Sequence, residues 1–125
     1  GDIHRWNTAD NTWNVFDSGN NDDFRGIAVD SEDQVWAVKS NVCQLAHFDG
    51  NTDTFVNAAI PLPDCVTPWG VAVDFEGNIW VVDRGGKAYK LDRTTYEVLA
   101  IVTGLVDPYS YSDMTGSALK LQGIG

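Results

Sequence analysis

Two stretches of the chain repeat each other: FRGIAVDSEDQVWAV at residues 24–38 and PWGVAVDFEGNIWVV at residues 68–82. Gly26 and Gly70, Asp30 and Asp74, and Trp36 and Trp80 each lie 44 residues apart, so the match keeps register through two apolar runs and the turn between them. An internal period of this length restricts the fold to solenoids, propellers or arrays, and the choice among them depends on whether each unit reads as helix or strand. A second set of landmarks recurs at nearly the same spacing: RWNTADNTW at 5–13, HFDGNTDTF at 47–55 and KLDRTTYEV at 90–98, separated by 42 and then 43 residues.

Each unit therefore holds four short runs, at 26–30, 34–38, 44–49 and 54–58 in one and at 70–74, 78–82, 88–92 and 97–102 in the next. The runs are rich in Val, Ile, Trp, Phe, Tyr and Thr, and the breaks between them carry Asp, Asn, Gly and Ser. No segment offers ten residues of helical periodicity, so the reading is four antiparallel strands per unit. Four strands every 40 to 45 residues is the arithmetic of a β-propeller blade. The first run of each unit is small and apolar, as an innermost strand should be, and the second is wholly apolar and suits burial between blades. The third and fourth become more polar toward the rim.

PWGVAVDFEGNIWVVDRGGKAYKLD resembles the blade repeat of NHL-type propellers and of propellers similar to virginiamycin B lyase, in which a Gly-Val/Ile-Ala-Val-Asp run is followed by Gly-Asn-Ile-Trp. The resemblance covers residues 23–103, with an outer half-unit at 1–17 that resembles the third and fourth strands of a preceding blade. It implies an all-β propeller segment of about three blades: outer strands of a first blade at 1–19, a second blade at 23–60, a third at 66–103, and the start of a divergent fourth at 107–125. Beyond Pro108, PYSYSDMTGSALKL matches only through that proline and the aromatic Tyr109.

Closed propellers need four to eight blades, and an open wedge leaves apolar strand faces and sheet edges uncovered. The chain is therefore expected to be part of a longer polypeptide. Assembly of identical copies into a ring is the alternative.

Propeller topology places the loop between strands two and three on the same face as the connection between blades, around the central channel. Arg25, Lys39, Trp69, Asp83, Arg84 and Tyr109 fall there and are the candidate ligand-binding residues. Arg25 and Trp69 occupy equivalent positions before the glycine of the inner strand, where such residues also pack against the next blade. The lyase resemblance implies channel-facing histidines, a glutamate near the end of a second strand and a divalent metal. His4 and His47 are the two histidines of the chain, both in third strands, and the second-strand ends carry Lys39 and Asp83. His47 is expected at the surface, in a slot that carries Arg5 and Lys90 in the other units.

DGNTD at 49–53 imitates the start of a calcium loop, but a complete loop needs Gly at its sixth position and Glu at its twelfth, where Thr54 and Ile60 stand. A polar hairpin turn is the simpler reading, with calcium as the alternative and no other cofactor indicated. No P-loop, GxGxxG, GxSxG or HExxH is present, so no catalytic set is expected within these residues.

Eight basic residues against 18 acidic ones give a net charge of -10, and the basic residues are scattered, which argues against nucleic acid as a partner. No run of about 18 apolar residues is available to span a membrane. The chain opens on Gly1 without a signal-like segment, which reads as a processed or partial polypeptide. Cys43 opens a third strand and Cys65 lies in the following inter-blade connection, so the topology brings both to the channel face. A disulfide between them implies a secreted, cell-surface or periplasmic protein, whereas two buried thiols would imply the cytosol. Two functions follow: a non-catalytic extracytoplasmic module for interaction or display, or a fragment of a lyase-like or hydrolase-like propeller with its catalytic residues elsewhere.

Overall fold

One aspartate organises each matched run. Asp74 accepts the backbone N–H groups of Glu76 and Asn78 on Oδ1, at 3.0 and 2.9 Å, and the indole N–H of Trp80 on Oδ2, at 3.0 Å. Asp30 does the same for Glu32, Gln34 and Trp36, at 2.8, 3.0 and 3.4 Å. The carboxylate closes the turn with one oxygen and pins the aromatic residue of the next strand with the other, which accounts for the recurrence of Asp and Trp six residues apart. The residue that completes the turn is left-handed in both units, Asp33 with φ 58° and Gly77 with φ 87°. Asp tolerates that conformation and Gly adopts it without steric cost.

The computed structural model describes residues 1–108 and the backbone of residues 113 and 114. Its strands are β1 (Asp2–Asn7), β2 (Thr12–Asp17), β3 (Phe24–Val29), β4 (Gln34–Lys39), β5 (Gln44–Asp49), β6 (Thr54–Pro61), β7 (Pro68–Val73), β8 (Ile79–Asp83), β9 (Lys87–Leu91), β10 (Val98–Val102) and β11 (Asp113–Met114). They form the first-blade hairpin β1-β2, a second blade in the order β3-β4-β5-β6, and a third in the order β10-β9-β8-β7 with β11 added beside β7. Among the described residues the fold is all-β, as the repeat predicts. Every pairing within a blade is antiparallel, but β11 runs parallel to β7, with Asp113 opposite Val71 and Met114 opposite Ala72. The expectation of four antiparallel strands per unit concerns pairing within a blade, and the parallel pair joins one blade to the next. Innermost strands of successive blades run in the same direction, so the free edge of β7 receives its successor in parallel.

The main core fills the seam between the second and third blades, where Trp36, Val38 and Leu45 meet Val71, Val73, Ile79 and Val81. A smaller one joins Ile3 of the first blade to Val35 and Phe48 of the second, with the Phe16 and Phe48 rings 4.7 Å apart. Charged latches reinforce both seams. Arg5 donates to both carboxylate oxygens of Asp53 at 2.5 and 2.9 Å, and Arg93 reaches Glu32 at 2.6 Å and Asp30 at 3.2 Å.

His47 is not a surface residue. It is 8% exposed, stacked on Trp36 with ring centroids 4.0 Å apart, and both ring nitrogens have partners, Tyr96 Oη and Gln34 Oε1, each at 2.7 Å. Gln34 Oε1 can only accept, so Nε2 carries the proton and Nδ1 accepts from Tyr96. Burial holds the imidazole below its ordinary value, outweighing the opposite pull of Asp30 and Asp49. The slot that suits Arg or Lys in other units is here closed over by Tyr96 of the next blade.

Candidate ligand-binding site

The two kinds of loop do share a face. Cys43, at the end of the loop between β4 and β5, and Cys65, between β6 and β7, are joined by a disulfide with Cα atoms 5.8 Å apart. Backbone bonds tie the same loops elsewhere: Ser40 N–H to Asp23 at 3.0 Å, Leu62 N–H to Cys43 at 3.0 Å, and Arg84 N–H to Thr67 at 3.0 Å. Lys87 Nζ and the Tyr89 hydroxyl add bonds to the carbonyls of Asp64 and Pro63, at 2.6 and 2.7 Å.

The strands that lead from this face are bulged at matching places. β3 loses register against β4 between Phe24 and Ile27, and β7 loses register against β8 between Pro68 and Gly70. Bulges re-aim side chains, and the residues at these two are Arg25 and Trp69. The Arg25 guanidinium lies 4.8 Å from the centre of the Trp69 ring, and that of Arg84 lies 5.3 Å from it. Three sequence-predicted residues, from two strands of two blades and one loop, thus converge on one half-buried indole, with both guanidinium groups in cation–π range. Arg25 also donates to Asp23 Oδ2 through Nε and Nη2, at 3.1 and 2.7 Å. A hydrogen bond from Ser40, ahead of those from Arg25, keeps the Asp23 carboxyl below its ordinary value despite some burial.

Lys39 and Asp83 anchor the connections between blades. Each ends a second strand 44 residues from the other, and each is buried, at 1% and 0% exposed. Lys39 Nζ binds Asp22 Oδ2 at 2.9 Å. Burial tends to raise the Asp22 carboxyl, but hydrogen bonds from Ser18 and Lys39 and the charge of Lys39 leave it below its ordinary value. Asp83 accepts the backbone N–H groups of Val66, at 3.0 Å to the nearer oxygen, and Thr67, at 2.6 Å. Asp22 and Val66 are themselves 44 residues apart, so both blades anchor the same point of the incoming connection with opposite polarity. Sequence reasoning missed Asp22, Asp23 and Ser40. The only local signal was a run of Asn and Asp before the strand. Tyr109 lies outside the described residues.

The carboxylates of the polar turn at 49–53 are engaged by neighbouring donors. Asp49 Oδ1 accepts Asn51 N–H at 2.8 Å and Gln34 Nε2 at 3.0 Å, while Asp53 is paired with Arg5. Among the described residues no group of three or more His, Cys, Asp or Glu side chains is placed to hold a metal ion, and no helix is long and apolar enough to cross a membrane.

No protein-family model and no curated protein sequence matches the chain. Among solved structures it is similar to one described as a streptogramin B lyase structure, with a TM-score of 0.67 and 21% sequence identity over 91% of this chain. The chain spans 37% of the length of that protein. At this identity the likeness concerns the fold alone, and it agrees with the blade order and seams described above in giving the chain a β-propeller fold.

Proposed function

We propose that the chain is a non-catalytic, extracytoplasmic propeller module that binds a protein or small-molecule ligand through a planar anionic group. The observation that carries this reading is the convergence of Arg25 and Arg84 on Trp69 at a doubly bulged, loop-bearing face. A guanidinium stacked on an aromatic ring recognises a carboxylate through its planar edge, and Arg25 already directs Nε and Nη2 of that edge to the carboxylate of Asp23. The Cys43–Cys65 bridge supports an oxidising compartment. The net charge of -10 argues against a nucleic-acid partner.

Benzoate and inorganic phosphate, titrated separately and followed by NMR on the Nε–H signals of Arg25 and Arg84 and the indole N–H of Trp69, test the site. Benzoate is expected to move all three signals along one saturable curve that Trp69→Ala abolishes. Unmoved signals with both probes would refute the site.

A second reading is favoured by the likeness over 91% of the chain to a streptogramin B lyase. In it the chain is part of a propeller enzyme with its catalytic residues beyond these 125. His47 supplies no free imidazole nitrogen for such chemistry, since both are hydrogen-bonded inside a blade seam. Consumption of a streptogramin B by a longer polypeptide that contains this chain, and not by the 125 residues alone, would favour this second reading.

A further inference from the structure

The edge by which Arg25 would take a ligand carboxylate already holds one from the chain itself. Arg25 Nε and Nη2 donate to a single oxygen, Asp23 Oδ2, at 3.1 and 2.7 Å, and the Ser40 hydroxyl donates to the same atom at 2.7 Å. These two guanidinium nitrogens form one of the planar edges through which arginine binds a carboxylate with paired bonds. Asp23 therefore presents to Arg25 the group that an anionic ligand would bring.

The third blade shows that the fold does not require this carboxylate. Ser40 N–H donates to the carbonyl of Asp23 at 3.0 Å, and 44 residues later Arg84 N–H donates to the carbonyl of Thr67 at 3.0 Å. The same main-chain bond thus seats the incoming connection in both blades, while the side chains differ. Thr67 stands where the second blade has Asp23, Arg84 where it has Ser40, and Trp69 where it has Arg25. Asn41 adds a second main-chain anchor, its side-chain oxygen accepting Asp23 N–H at 2.9 Å and its amide donating to the Asn21 carbonyl at 3.2 Å. The backbone of Asp23 is accordingly fixed through both its N–H and its carbonyl without help from its carboxylate. The ion pair itself is open to water, with the Arg25 and Asp23 side chains 42% and 41% exposed, and such a pair exchanges partners at little cost. An acidic side chain that the blade does not need, aimed at the binding edge of a cation and readily displaced from it, has the attributes of a selectivity element.

We propose that Asp23 is the specificity-determining residue of this site, an internal carboxylate that an anionic ligand must displace from the Nε–Nη2 edge of Arg25. The inference rests on the reading of this face as an anion-binding site and deepens it. Exchange of one carboxylate for another leaves the charge opposite Arg25 unchanged, so the ligand gains little from that edge alone. Asp23, displaced but tethered through its fixed backbone, also repels the newcomer. An anion is therefore retained only where the rest of the molecule contacts the face as well, and an uncharged ligand meets no such barrier.

Asp23→Asn keeps the shape of the side chain and removes its charge, and Asp23→Thr repeats what stands at Thr67. Dissociation constants for benzoate and for benzamide, its uncharged counterpart, are read by NMR from the Nε–H signals of Arg25 and Arg84 and the indole N–H of Trp69. Both variants are expected to bind benzoate about 3- to 10-fold more tightly than the wild type and to leave benzamide unchanged. A general loosening of the site would instead move both probes together. Equal benzoate constants in the three proteins, weaker benzoate binding in the variants, or an equal gain for benzamide would overturn the role of Asp23 while leaving the ligand reading intact. Benzoate that moves no signal in any of the three proteins would overturn both. Should Asp23→Asn lose its strand content by circular dichroism, Asp23→Thr decides the matter.

Discussion

The indole N–H of Trp80 donates to Oδ2 of Asp74 at 3.0 Å, while Oδ1 of the same carboxylate holds the turn that joins their two strands. Removing Asp74 therefore releases three donors at once, one of them on a half-buried ring. Asp74→Ala is expected to lower unfolding free energy by about 2–4 kcal/mol, and Trp80→Phe by about 1 kcal/mol. Urea denaturation followed by circular dichroism checks both values. Equal losses for the two variants would mean that the turn bonds contribute nothing.

The Cys43–Cys65 bridge closes a loop with a sequence separation of 22 residues. Such a loop is worth on the order of 3 kcal/mol through restriction of the unfolded chain. The unreduced protein is expected to show no titratable thiol, and Cys43→Ser to lower the melting midpoint by several degrees with strand content unchanged. Two thiols alkylated rapidly without reductant would contradict the pairing.

Lys39 and Asp22 form a pair that is nearly inaccessible to solvent, with side chains 1% and 6% exposed. Lys39→Ala leaves a buried carboxylate without its cation and is expected to cost about 3–5 kcal/mol. Lys39→Met combined with Asp22→Leu removes both charges and is expected to restore most of that loss. A double-mutant cycle in urea measures the coupling, and additive losses would refute the pairing.

His47 is neutral in the folded protein because burial holds its value below 6.5, with Asp30 and Asp49 opposing and Arg93 assisting. Below about pH 6.5 the unfolded chain binds a proton that the folded chain refuses, so acidification favours unfolding. The stabilisation is complete above about pH 6.5 and declines as pH falls from there toward the folded-state value. The urea midpoint is expected to fall between about pH 7.5 and about pH 5.5, and to fall less in His47→Gln. Asp22, Asp23, Asp49 and Asp92, all held below their ordinary values, contribute at lower pH, near and below the usual carboxylate range. Identical slopes in the two proteins would show that His47 does not titrate on unfolding.

The blade was legible because its determinants are local. The hydrogen bonds by which Asp30 closes its turn reach no farther than Trp36, and that six-residue clamp appears in the sequence as a repeated pattern. The shared face of Cys43 and Cys65 followed from strand parity alone. Lys39 was illegible for the opposite reason: its partner Asp22 stands 17 residues earlier, in a connection whose path no propensity predicts, so a cation at a strand end read as loop. His47 was misread because its burial is supplied by Tyr96, from another blade and in left-handed backbone with φ 63°. Arg25, Trp69 and Arg84 could be assigned to one face, but their convergence depends on two bulges that leave no mark in the alternation of side chains.

β5 and β6 lie wholly inside the loop that the Cys43–Cys65 bridge closes. Tension applied to the two ends of the molecule therefore passes through the sulfur atoms and bypasses these strands. In a single-molecule pulling experiment the second blade would extend as if it lacked its outer half, and the hidden length, roughly 75 Å of contour, would appear only after reduction. The bridge thus makes half a blade mechanically silent, so that the redox state of its surroundings sets how far the chain can be drawn out.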